Sequence, residues 1–393
     1  MIERYLDWQL NIGEKIMRIC IDLTSLADNF SGIERFALSI TKELIRNKEH
    51  EWILIFKNSI HKEFDSTEKN VKKIVVKGNN KLLFNQIILP IKMTKIQADK
   101  YFFPAFPAPL FLFKKDVYNA IHDLSCWDCP GSNKRYMIWY FKIMYWKASL
   151  SNKKVITVSE FSKDRIATIL HVKPKNIAVI YNGISRQFND EIIIESERER
   201  IRKKYLLPER YILCLSTLEP RKNLKLLLDT YADLNETGII REIVLAGRKG
   251  WKMDDFLNGY KKSFLQHVHF TGFVEDKDLP AVYKMADIFV FPSLYEGFGI
   301  PPLEAMACGT VVLASDATSM PEVLGNGAFY FKSQDKEDLK QMILYVEKNI
   351  SDYNVEKGKK QARKYNWRHE ARRLISFLEN GYDEINTKRE GKV

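Results

Sequence analysis

Asp287-Ile-Phe-Val-Phe-Pro292 holds a short uninterrupted apolar run, the mark of a strand buried on both faces. It leads into Glu296-Gly-Phe-Gly-Ile-Pro-Pro-Leu-Glu304. There Gly297 and Gly299 let the backbone turn tightly, and Pro301 and Pro302 suit a first helical turn. The helix predicted to follow stops near Gly309. The same strand, turn and helix recur along the chain. Residues 18–22, 51–56, 71–76, 100–103, 116–121, 155–158 and 177–180 read as strands, as do 211–215, 242–246, 268–271 and 310–314. Helical periodicity fills the intervals, most clearly at 33–45, after the capping residue Ser159, and at 366–378. This alternation predicts parallel α/β sheets with ligands at the carboxyl ends of the strands.

At 393 residues the chain exceeds one ordinary domain, and 45% hydrophobic content supports a full core. The expected division is a first domain over 1–187, a charge-dense linker over 188–208 and a second domain over 209–368. Residues 369–393 would form a helix crossing back to the first domain. No window approaches the ~18–20 uncharged apolar residues of a membrane span. Residues 1–16 carry Glu3, Asp7 and Glu14 and lack the form of a signal peptide. They read as an upstream extension, with an interfacial amphipathic helix as the alternative. Five scattered cysteines then suggest reduced thiols in a cytoplasmic protein, and Cys126-Trp-Asp-Cys129 reads as loop packing because no second ligand pair accompanies it.

The net charge of +12 favours phosphorylated substrates or anionic lipid, since no nucleic-acid motif accompanies it. Between Lys134 and Lys154 lie six basic and no acidic residues, interleaved with Trp139, Tyr140, Phe141, Tyr145 and Trp146. That mixture suits peripheral contact with an anionic membrane, whereas an ordinary helix burying its aromatics is the plainer reading. The first strand is followed by Asp22-Leu-Thr-Ser-Leu-Ala-Asp-Asn-Phe-Ser-Gly32, without the spacing of a dinucleotide-binding loop, which argues against a dehydrogenase.

The chemistry concentrates at predicted strand ends. Glu296 and Glu304 stand eight apart around a helix start whose free N–H groups favour phosphate, and both can accept from sugar or ribose hydroxyls. Glu219-Pro-Arg221-Lys222-Asn223 puts two cations at a helix start, where the macrodipole disfavours them unless an anion binds. His122-Asp123-Leu-Ser125 closes another strand.

The segments E-G-F-G, P-P-L-E-A and A-C-G-T-V-V, taken with E-P-R-K-N and H-D-L-S, resemble glycosyltransferase family 4. The resemblance implies the GT-B fold: two doubly wound Rossmann-like domains facing across a cleft. It implies a retaining hexosyltransferase that uses a nucleotide-diphosphate sugar. In that family Arg221 and Lys222 would grip the donor diphosphate, Glu296 the sugar hydroxyls, Glu304 the ribose, and His122 the sugar from the opposite domain. Gly32, Phe273, Val274, Phe298, Gly299 and Ile300 would complete the donor site. Here Ser31-Gly32 keeps only the second of two usual glycines. Gly247-Arg-Lys-Gly-Trp251 resembles a turn of mannosyltransferase-like members, which inclines the donor toward GDP-mannose. No metal or other cofactor is implied. The expected acceptor is a glycan or lipid-linked saccharide in surface polysaccharide synthesis. The rival readings are an epimerase of the same fold and a basic membrane- or nucleic-acid-binding protein with an inactive cleft.

Overall fold

A computed structural model describes residues 16–26, 32–66, 68–132, 135–150, 154–217, 219–238, 242–248, 257, 259–350 and 355–381. Among them the strands form two wholly parallel sheets. The first contains β1 (Arg18–Asp22), β2 (Glu51–Lys57), β3 (Val71–Val76), β4 (Lys100–Phe103), β5 (Val117–Ala120), β6 (Val155–Thr157) and β7 (Ile177–Val179), in the order β3-β2-β1-β4-β5-β6-β7. The second contains β8 (Tyr211–Leu215), β9 (Glu242–Ala246), β10 (Val268–Gly272), β11 (Ile288–Phe291), β12 (Val311–Ser315) and β13 (Phe329–Phe331), in the order β10-β9-β8-β11-β12-β13. Each order reverses beside its first strand, at β1/β4 and at β8/β11. In a doubly wound sheet that reversal opens a crevice at the strands' carboxyl ends. Val155–Thr157 and Ile288–Phe291 are buried throughout, as helices on both faces demand.

The helices flanking the two sheets include α1 (Gly32–Leu44), α2 (Arg135–Leu150), α3 (Glu160–Leu170), α4 (Glu195–Tyr205), α5 (Leu224–Glu236), α6 (Leu279–Met285), α7 (Ile300–Ala307) and α8 (Trp367–Asn380), of which α1, α6 and α7 line the cleft. Ser159 caps α3 by accepting from Ser162 N. Residues 1–15, Ser31, Lys134, Lys153, Lys249, Gly250 and Trp251 lie outside the described residues.

Within 188–208, the expected linker, residues 195–205 are α4, and its charges are not idle. Arg200 Nη2 and Lys204 Nζ reach Asp278 at 2.6 and 2.7 Å, and Tyr205 Oη donates to it at 2.8 Å. Asp278 is fully buried at the start of α6, so it requires these partners. Ile201 and Tyr205 are buried with it, which makes α4 part of the second unit. The cysteine spacing closes no disulfide, and burial pushes the Cys126 thiol up to about 12.

Helix α8 follows the second sheet in sequence but packs on the first. The Phe377 ring meets Tyr118 of β5 edge-on at 5.5 Å, Trp367 meets Phe36 of α1 at 5.8 Å, and His50 Nε2 pairs with Glu379 at 2.8 Å. Asn366 accepts from Arg368 N and His369 N and so caps the helix. Phe377 is 2% exposed. Phe377→Ala should therefore cost about 3–5 kcal/mol, read as a lower urea midpoint; a loss below about 1 kcal/mol would show that α8 is not a structural strap.

Candidate active site

Adjacent parallel strands deliver their following loops to one side of the sheet. The loop after β8 tightens into a 3₁₀ turn over Pro220–Lys222, and Asn223 at φ 52° starts α5. The loop after β11 carries Ser293, Tyr295 and Glu296 to the same place. Lys222 Nζ lies 2.5 Å from Glu296 Oε1, and Arg221 Nη1 lies 3.5 Å from Glu296 Oε2. Ser293 Oγ donates to Glu296 Oε1 at 2.6 Å. Thr318 Oγ1 accepts from Glu296 N at 3.0 Å, fixing the backbone beneath. Arg221 is held by Glu219 at 3.0 Å and by the Tyr295 carbonyl at 2.7 Å. Burial pushes the Glu296 carboxyl up, but Lys222 and Arg221 outweigh it and hold the group below the usual carboxylate range. The cluster is thus ionised and pre-set, with two cations facing the cleft.

Two glycines make the loop geometry workable. A Cβ on Gly297 would stand 2.4 Å from the His122 carbonyl oxygen of the other sheet. Ser159 Oγ donates to the Gly297 carbonyl at 2.6 Å, sealing that approach. Gly299, at φ 85°, is packed so that a Cβ would meet Met320 Cε at 2.3 Å. It opens α7 with no side-chain cap; since Pro301 and Pro302 carry no N–H, the first-turn donors are those of Ile300 and Leu303, and Ile300 lines the cavity.

Glu304 is the fifth residue of α7 and only 3% exposed. Its Oε1 accepts from Arg35 Nη1 at 2.9 Å and its Oε2 from Tyr283 Oη at 3.0 Å. Arg35 belongs to α1, and its Nη2 also reaches Asp276 at 2.8 Å. Burial raises the Glu304 carboxyl above its ordinary value despite Arg35 and Tyr283. The carboxylate is therefore clasped by the opposite domain, and a ligand hydroxyl must share it with Arg35.

His122 stands beyond the end of β5, 8% exposed, with the Phe36 ring edge-on at 5.0 Å. Its Nε2 lies 2.8 Å from the Pro104 carbonyl, which can only accept. Nε2 therefore carries the proton, and the neutral ring keeps Nδ1 as an acceptor. Burial pushes the His122 pKa below 6.5. Asp123 caps a turn by accepting from Ser125 N at 2.9 Å.

His122, Arg221, Lys222, Glu296, Gly32, Phe273, Val274, Phe298, Gly299, Ile300 and Glu304 all line one cavity of about 410 Å³ between the two sheets. They do not all offer side chains to it. The Phe298 ring packs on Tyr365 at 5.4 Å and Tyr181 at 6.1 Å, and Val274 is buried. Phe273 is 46% exposed, with the Arg248 guanidinium 4.7 Å above its ring. Sequence reasoning missed Arg35, Ser293, Thr318 and Asn182. Only Arg35 left a signal, a cation one turn into the helix opened by Gly32. Asn182 is 4% exposed and lines the cavity, and its buried Oδ1 has no protein partner. That oxygen is an acceptor awaiting a donor such as a ligand hydroxyl.

Residues 197–368 match the family described as glycosyl transferases group 1. The chain carries a group 1 glycosyltransferase domain. Over 376 residues it is 28% identical to O-antigen chain mannosyltransferase B of Escherichia coli, covering 89% of this chain and 96% of that one. It is 34% identical over 232 residues to the serotype-specific mannosyltransferase WbdA of Escherichia coli, but spans only 27% of that longer protein. In three dimensions it resembles a crystal structure of a glycosyltransferase from Rickettsia africae ESF-5, with a TM-score of 0.70, 17% identity and coverage of 94% and 100%. The fold of this glycosyltransferase is GT-B.

Two measurements test the geometry. Gly297→Ala must push the glycosyltransferase domains apart at His122, and misplacement by about 1 Å costs on the order of 10²-fold in rate. A folded variant with unchanged kcat would refute this dependence on closure. For His122, the folded pKa lies below the unfolded 6.5. The unfolded chain thus takes up the proton first, so the stability of the neutral ring is full above about pH 6.5 and is lost as pH falls toward the folded value. His122→Asn should flatten the fall of the urea midpoint from about pH 7 to 5; a parallel curve would place that acid sensitivity elsewhere.

Proposed function

We propose that this enzyme transfers a mannosyl group, with retention, from a nucleotide-diphosphate sugar to a saccharide acceptor carried on a lipid, in surface polysaccharide synthesis. The observation that carries this reading is the pair Arg221 and Lys222, pre-set around Glu296 and facing His122 across one cavity. Both cations and the uncapped start of α7 suit a departing diphosphate, where charge grows most in the transition state. Glu296 and the Asn182 carbonyl offer acceptors for sugar hydroxyls. A front-face route, in which the leaving phosphate takes the acceptor proton, needs no enzyme nucleophile. The O-antigen chain mannosyltransferase and the serotype-specific mannosyltransferase among the relatives support mannose, and the former supports a polysaccharide product. The GDP ester is the donor we favour, met on the cytoplasmic side.

Thermal shift with GDP, UDP, dTDP and ADP tests the donor. A ligand at about 100 times its Kd stabilises by roughly 2.7 kcal/mol. One nucleotide, expected to be GDP, should raise the midpoint saturably, and Arg221→Ala/Lys222→Ala should abolish the rise. No rise with any nucleotide would overturn the reading. Lys222→Ala alone should lower kcat by about 10²–10³-fold. Because side-chain cations serve the diphosphate, mannosyl transfer should persist in EDTA, and its loss on chelation would put a metal in the mechanism.

A further inference from the structure

The Arg135–Leu150 helix turns an unusual face outward. Tyr136 and Trp139 are each 69% exposed, and Ile143, Trp146 and Leu150 continue the stripe at 48, 59 and 56%. Spacings of three and four put all five on one side. The opposite side buries Ile138, Met144 and Ala148, so both sides of α2 are apolar. Residues 81–94 repeat the pattern: Phe84, Leu89 and Met93 are buried, while Leu82, Leu83, Ile87 and Ile91 are exposed. Between the two helical segments, Phe111 and Phe113 stand 62 and 84% exposed.

These three segments form one surface. Gln86 Nε2 donates to Tyr140 Oη at 2.8 Å, and Leu110 N donates to Gln86 Oε1 at 2.9 Å. Lys147 turns its ammonium inward, donating to the Pro109 and Leu112 carbonyls at 3.1 Å each. Lys154 pairs with Asp116. Two cations that the sequence assigned to this surface are thus spent internally. The cationic rim comes instead from exposed Lys81, Lys92, Lys95, Lys115 and Arg135. Residues 79–98, 100–115 and 135–150 contain no aspartate or glutamate.

We propose that this face docks the first domain on an anionic lipid surface. An exposed apolar patch of this extent marks an interaction site. Exposed tryptophan and tyrosine with a rim of lysines match the chemistry of the headgroup boundary. A second copy of the chain fits poorly, because apposed faces would bring like rims together across the contact. No helix among the described residues is long and apolar enough to cross a membrane, so the docking is peripheral. One loop links this face to the cleft: Pro104 accepts from His122, Phe106 stacks on Phe141 of α2 at 6.1 Å, and Phe113 ends at the surface. Docking there would hold the mouth of the cleft at the level of a lipid-borne acceptor; that last link rests on the proposed function, whereas the surface does not.

Flotation with phosphatidylcholine vesicles, with and without phosphatidylglycerol, tests it. The full chain should float with the anionic vesicles and much less with the neutral ones. Lys81→Glu/Lys92→Glu should weaken anionic binding by about thirtyfold or more, since each basic residue near the surface contributes about one factor of five. Trp139→Ser/Trp146→Ser should weaken it comparably and insensitively to salt. Both variants should keep the nucleotide-induced thermal shift, which separates this outcome from failure of the donor site. The proposal is overturned if the wild-type chain ignores anionic vesicles or if both variants bind as it does. A dimer in sedimentation that Trp139→Ser/Trp146→Ser dissociates, without vesicle binding, would assign the face to a second copy.

Discussion

The site exists because the backbone at Gly297 comes against the His122 carbonyl. Two parallel sheets, each wound around its own core, present their carboxyl edges to one another, and this is where the edges touch. Glycine at 297 removes the Cβ that would hold them apart, and Ser159 fastens the contact by donating to the Gly297 carbonyl. Other bonds lie in register with it. Glu322 of the second domain accepts from Glu160 N and Phe161 N at 2.7 and 2.9 Å, so a carboxylate from one domain caps α3 of the other. Arg35 reaches across to Glu304 and Asp276. The arrangement is a closed one, with the cleft's groups already drawn together.

Closure treats the two glutamates differently. Both sit in the same loop–helix segment and both are buried. Glu296 is surrounded by two cations and a hydroxyl, and is held below the usual carboxylate range. Glu304 has one arginine, shared with Asp276, and burial leaves it above its ordinary value. Arg35 therefore supplies most of what keeps Glu304 charged, and it comes from the other domain. Opening the cleft would remove that partner, so the state of Glu304 is coupled to domain position. A donor that engages this carboxylate must do so alongside Arg35 or in its place.

Much of this was legible along the chain. The apolar runs marked twelve of the thirteen described strands to within one or two residues, because burial on both faces favours such composition; β13 (Phe329–Phe331), three residues long and only partly buried at the sheet edge, was missed. The E-G-F-G turn followed by Pro301 and Pro302 marked a helix start at a strand's end for equally local reasons. The cations Arg221 and Lys222 stood out because their position before a helix is unfavourable unless an anion binds. Other features were hidden. The charge density of residues 190–204 read as a linker and lead-in to the second domain, yet Arg200 and Lys204 there, with Tyr205 beside them, converge on Asp278, a carboxylate more than seventy positions later. Lys147 and Lys154 read as surface cations, and both are turned to internal partners.

By itself the sequence determined the sheets, their parallel sense and the residue types gathered at their ends, since these follow from hydrophobic period, turn chemistry and the cost of placing charge near a helix dipole. Tertiary structure decided which of those residues meet: His122 with Gly297, Arg35 with Glu304, and residues 81–94 with α2 in a single exposed face. The physical reason is range. Propensity and period act over a few residues, whereas burial and ion pairing are settled by whatever another part of the chain brings within hydrogen-bond distance, and nothing in the local pattern names that partner.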